Sequence, residues 1–231
     1  MMSLEKRPYG LRLFHAAFTG QMITALGVAC MLRANIGLEP WSVLQQGMSD
    51  TFGITFGIAN DIVGAAVILI AVLLGESIGV GTLFCVFITG FGIDLILWLD
   101  VIPLQTSLFG GILLLLAGLE LLTLGTYFYM REGLGQGSRD ALMVALAKRT
   151  GKSVGLCRSC VEGLAILLGW LLGGQVGIGT VIAMLGIGAL IDLNFHLLQF
   201  DPKAVRQENL IDTWRRLCCC MNRKDDLQDK N

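Results

Sequence analysis

The sequence predicts an all-α membrane protein of six transmembrane helices, arranged as two inverted three-helix repeats, each with a short re-entrant or interfacial helix. Three observations lead there. The first is composition: 231 residues, 54% hydrophobic and 15% charged, with a mean hydropathy of +0.70, carry more apolar surface than one soluble core can bury. The second is an internal repeat. Gly27 to Leu99, laid without gaps on Gly125 to Leu197, gives 20 identities in 73 positions, among them Gly27, Gly37, Gly53, Gly57, Gly75, Gly79, Gly81 and Gly90, and a period of this kind reports duplicated architecture. The third is the distribution of Lys and Arg.

Six stretches are long enough, at 1.5 Å per residue, to cross an apolar layer of about 30 Å: near 11–32, 56–74, 79–99, 107–130, 154–172 and 177–199. The first follows a basic start and lacks a small-residue cleavage site, so it reads as a retained span. Tight turn signals at Gly75-Glu76-Ser77, Asp100 to Pro103 and Gly173-Gly174-Gln175 make neighbouring spans antiparallel. Two shorter segments, 40–49 and 138–150, occupy matched places in the copies and are bracketed by Gly37 with Gly53 and Gly135 with Gly151. Pro40 marks one helix start, and Ser138 or Asp140 the other.

Sixteen of the 17 basic residues fall before the first span, between 131 and 158, or after Phe200; only Arg33 lies opposite. The positive-inside rule then puts both termini and the 131–153 loop in the cytoplasm. Three spans per copy is an odd number, so the second copy starts from the other face, which makes the repeats inverted. The expected organisation is one membrane domain over 1–202, with repeat one at 11–103 and repeat two at 107–202. A cytoplasmic tail over 203–231 carries an amphipathic helix around Leu210, Ile211, Trp214 and Leu217, then disorder. Cys218 to Cys220 would sit near the lipid surface, where S-acylation is conceivable.

Charge inside an apolar layer costs about 2.5–3.5 kcal/mol on insertion scales, so buried charges are the candidate site residues. Arg33 matches Arg131 and Asp94 matches Asp192 across the repeat. The two acids either frame a pathway or pair with the two arginines and lock helix ends. Glu120 and Glu162 have no acidic mate in the other copy, which makes them coupling candidates, although Arg158 stands one turn from Glu162 and an i,i+4 ion pair is the plainer reading. Asp61, just inside the second span after Asn60, caps or faces outer water. The N-termini of the short helices suit an anionic group. Gly37, Pro40 and Trp41 in one copy, and Gly135, Ser138, Arg139 and Asp140 in the other, are therefore expected around a substrate. The alternative is that these are surface helices whose glycines serve turns. Glycines opening the third and sixth spans, in Gly79-x-Gly81-Thr82 and Gly177-x-Gly179-Thr180, are read as packing residues.

Other chemistry is weakly represented. Cys157 and Cys160 have CxxC spacing but no second metal pair or nearby histidine. His15 and His196 are single, and no Ser/His/Asp set stands out, so neither an enzyme nor a metal or cofactor is expected. A net charge of −1 argues against nucleic acid.

The stretch LGVACMLRANIGLEPWSVLQQGMSDTFGITFGIANDIVG resembles the bacterial YczE/YitT-like integral membrane proteins. Their pattern runs from a glycine-bearing first span through N-x-G-x-x-P-W/F into a short helix and a T-G-x-S-x-G turn. Asn35, Gly37, Pro40, Trp41, Gly53, Thr55 and Gly57 carry it, with Phe52 where the family often has Thr and Thr55 where it often has Ser. Gly79 to Thr82 and Gly90 to Asp94 also fit, and the likeness covers about residues 11–200. The resemblance implies a multi-pass cell-membrane protein and supplies no substrate. The expected function is a permease of a small, anionic solute working by alternating access. Arg33 and Arg131 would orient the solute, Asp94 and Asp192 would frame its site, and Glu120 would couple protons. The alternative is a membrane regulator or anchor holding a cytoplasmic partner, and association with a second copy is left open.

Overall fold

The computed structural model describes residues 15–76, 79–133 and 137–200. Gly135 and the 203–231 tail, with its amphipathic helix and Cys218 to Cys220, lie outside the described residues, as do residues 11–14. Within them the chain is all-helical. A π-helical turn, His15–Gly20, runs into α1 (Gln21–Ala34), followed by α2 (Pro40–Phe52), α3 (Phe56–Leu73), α4 (Val80–Leu99), α5 (Leu108–Glu132), α6 (Ser138–Thr150), α7 (Val154–Leu171) and α8 (Ile178–Leu197). Five of these, α3, α4, α5, α7 and α8, are long and apolar enough to cross a membrane, and Phe18–Ala34 is a shorter apolar helix. Side chains such as Phe91, Phe109, Trp98 and Leu185 are exposed on their outer faces, an apolar surface suited to lipid.

Local chemistry sets the helix ends. The Thr55, Ser107 and Ser153 hydroxyls accept from the backbone N–H three residues on, satisfying orphan donors at the starts of α3, α5 and α7. Gly53 and Gly151 end the two short helices in the left-handed conformation, which glycine adopts without a Cβ penalty.

Glycine governs how the long helices meet. α1 packs most extensively on α5, and a Cβ on Gly27 would come within 2.6 Å of the Gly118 carbonyl oxygen, while one on Gly125 would come within 2.7 Å of the Gly20 carbonyl oxygen. The backbones therefore touch at both ends of the crossing, the close approach small residues permit between apolar helices. α2 crosses α7 in the same manner, where a Cβ on Gly47 would come within 2.4 Å of the Gly169 carbonyl oxygen. One apolar core joins α1, α4, α5 and α8 around Met31, Ile93, Leu115 and Leu119. A second gathers Trp41, Val63, Val67 and Ala71 with Ala141, Leu142 and Met143 of α6 and Ala165 of α7.

Candidate functional site

After α1 the chain turns through Asn35 and Gly37, both in the left-handed region at φ 56° and 114°. A Cβ on Gly37 would lie 2.7 Å from the Gly177 nitrogen and 2.8 Å from the Thr180 hydroxyl, and the Gly179 N–H donates to the Ile36 carbonyl at 2.8 Å. The glycines opening α8 thus admit this turn, the packing role the sequence assigned them. The turn delivers Glu39 and Pro40 to the start of α2, where Pro suits the first helical position. The Trp41 N–H donates to Glu39 Oε2 at 3.3 Å and the Ser42 hydroxyl to Oε1 at 3.0 Å.

The N-terminus of α6 comes to the same point. Arg139 Nη1 donates to Glu39 Oε1 at 3.0 Å, and its guanidinium lies 5.2 Å from the centre of the Trp41 ring. Glu39 is 2% exposed. A carboxylate so deep is tolerated because three donors surround it, one of them a full positive charge.

Beside this junction is a cavity of about 430 Å³ with walls drawn from the eight described α-helices. Its polar lining is tied across helices: the Gln45 amide donates to Asn60 Oδ1 at 3.0 Å, and the Thr89 hydroxyl to Gln21 Oε1 at 2.7 Å. The Thr82 and Tyr129 hydroxyls lie 3.4 Å apart. Arg158 Nε donates to Glu162 Oε1 at 2.7 Å, the helical ion pair that was the plainer expectation. Asp140 completes the charged lining.

The structure brings together Pro40, Trp41, Ser138, Arg139, Asp140 and Glu162 on the cavity wall; of the other expected residues, those it describes lie elsewhere. Arg33 pairs with Asp100 beyond the end of α4. Arg131 lies over the Tyr127 ring one turn earlier on α5, 6.0 Å from its centre, and donates to the Tyr127 hydroxyl at 3.4 Å. Neither repeat-matched pairing, Arg33 with Asp94 or Arg131 with Asp192, forms. Asp192 is exposed on α8, and Glu120 is half-buried on α5 away from the cavity lining. Asp61 accepts from the Asn60 amide at 3.2 Å. Glu39, Gln45, Asn60 and Arg158 were missed as site residues. Only Glu39 had a usable signal, an acid directly before a Pro-Trp helix start.

Asp94 has a structural task. Its carboxylate accepts the Gly57 N–H at 2.7 Å and the Thr55 hydroxyl, fastening α4 to the first turn of α3. Gly57 is required because a Cβ there would meet the Gly90 carbonyl oxygen at 2.2 Å and the carboxylate itself. Asp94→Ala is expected to cost about 2 kcal/mol, the worth of a charged acceptor on two donors, read as a lower thermal unfolding midpoint. Asp94→Asn, which keeps one acceptor oxygen, should lose about half as much.

Among the described residues no three His, Cys, Asp or Glu side chains gather in a way that could hold a metal. Cys157 is buried and Cys160 exposed, both free.

A family model described as a family of unknown function, DUF6198, matches residues 11–195. An uncharacterised protein of Haemophilus influenzae is 31% identical over 180 residues, covering 78% of this chain and 82% of the relative. The uncharacterised membrane protein YczE of Bacillus subtilis is 29% identical over 184 residues, 79% of this chain and 84% of the relative. YyaS of the same organism, also uncharacterised, is 27% identical over 185 residues, 78% and 90% of the two chains. No solved structure matches.

Proposed function

We propose that this chain, a membrane protein belonging to the DUF6198 family of unknown function, is a permease carrying a small polar solute through its central cavity by alternating access. The observation that carries this reading is the cavity itself: it lies where the N-termini of two short helices meet and is walled by each of the described α-helices. Short helices at matched positions in inverted halves are the sequence pointer to a midplane transport site. Their head-to-head contact supports two re-entrant segments, one from each face. With Lys148 and Glu76 joined on one side and Arg33 and Asp100 on the other, the charges agree with both termini in the cytoplasm.

The packing also supports inverted repeats. Gly20 corresponds to Gly118 and Gly27 to Gly125 at the 98-residue offset, and the crossing pairs Gly27 with Gly118 and Gly20 with Gly125. A reciprocal contact of this form is what a two-fold axis generates. Trp41 and Arg139, matched at the same offset, touch each other, and α2 packs on α7 as α6 packs on α3. Rocking one half on the other about this axis would open the cavity to each face in turn. Arg139 and Arg158, with the end of α6, would orient the solute in the role assigned to Arg33 and Arg131.

Thr126 borders the cavity and offers a direct test. In a background whose native cysteines are replaced, Thr126→Cys is expected to react with a membrane-impermeant maleimide both in right-side-out cells and in inverted vesicles. Reaction from one face only would reject alternating access and favour a membrane anchor or regulator.

A further inference from the structure

We propose that Asp140 is the proton-binding group of the cavity and that the solute crosses in company with, or in exchange for, the proton it carries. This rests on the permease reading above. Among the described residues five charged side chains border the cavity: Glu39, Arg139, Asp140, Arg158 and Glu162. Four are used in two ion pairs, Arg139 with Glu39 and Arg158 with Glu162. Asp140 is the odd carboxylate, and among the described residues it has no hydrogen bond or ion pair.

Its surroundings favour a proton. Asp140 is deeply enclosed by protein yet open to the cavity, and burial raises its carboxyl above the ordinary value of 3.8, opposed by Arg158 and then Arg139. Electrostatic contact with Asp140 comes from Arg158 on α7, Arg139 on its own helix and Tyr129 on α5. The other titratable groups lining the cavity are Glu162 on α7, Glu39 ahead of α2 and Cys85 on α4, and α3, which packs on α6, contributes none to the lining. Gly137, the residue capping α6, offers no side-chain bond to the helix's first N–H groups. When Asp140 is ionised it answers the positive end of α6; when protonated it leaves that end to the solute. A proton taken from water on one face and released to water on the other would therefore strengthen binding of an anionic group and weaken that of a cationic one, with reciprocal coupling.

Thermal unfolding of the full chain in lipid nanodiscs, from about pH 4 to about pH 8, tests the assignment. A folded-state pKa above the unfolded value means the folded state holds more protons. Stability then falls as pH rises from 3.8 towards the folded value, and levels off above it. The unfolding midpoint of the wild type relative to Asp140→Asn is expected to drop over that window; parallel curves would overturn the proposal. Glu162→Gln releases Arg158 to attract Asp140 and should move the drop to lower pH, so an unmoved profile overturns it too, even should Asp140→Asn fail to fold. The Thr126→Cys experiment separates the failures: labelling from both faces with parallel curves removes Asp140's role alone, and labelling from one face removes the permease reading and the coupling with it.

Discussion

Glu39→Gln is expected to lower stability by about 3 kcal/mol, the scale for breaking a buried pair by removing one partner. The variant leaves Arg139 facing an uncharged amide and weakens the acceptor for the Trp41 N–H and the Ser42 hydroxyl. Arg139 is 35% exposed and can draw on the polar cavity, which keeps the cost at the lower end of that range. The informative comparison is a double-mutant cycle with Arg139→Gln, because residues in one ion pair are non-additive. The double variant should recover part of the loss, an interaction energy of at least about 1 kcal/mol, measured by denaturant or thermal unfolding. Additive losses would mean the head-to-head contact does not join the short helices.

The second large effect concerns the α1–α5 crossing. Gly27→Leu is expected to destabilise by about 3 kcal/mol or more, beyond the usual overpacking range, and to be read as loss of folded protein in the membrane. Even Gly27→Ala should cost about 2 kcal/mol, because the atoms a Cβ would meet, the Gly118 oxygen at 2.6 Å and the Leu122 nitrogen at 2.8 Å, are backbone and cannot rotate away. The contrast is Gly163 on α7, where a Cβ would meet nothing within 4 Å. There Gly→Ala should be neutral or stabilising by up to about 1 kcal/mol, through helix propensity alone. Equal losses at both positions would exclude close backbone contact as the reason for Gly27.

Hydropathy and turn residues place the long helices within a few residues, since membrane helices must be apolar over a fixed length. Pro40, Ser138 and the bracketing glycines mark the short helices for equally local reasons. The repeat directed attention to Trp41, Arg139 and Asp140, which do line the cavity. Its charge pairing misled, since matched positions in sequence need not be neighbours in space. Arg33 met Asp100 at the end of α4, and Asp94 found the Gly57 N–H and the Thr55 hydroxyl at the start of α3.

By itself the sequence determined the membrane class, the helical segments and the existence of two glycine-bracketed short helices, all properties of local composition and spacing. Only the tertiary structure decided which charges share a space. A buried carboxylate takes the best donors within reach, and reach is set by backbones that approach as closely as glycines at 20, 27, 118 and 125 allow. That is why Glu39, unremarked in the sequence, lies against Arg139 a hundred residues away, while Asp140 is left over to face the cavity.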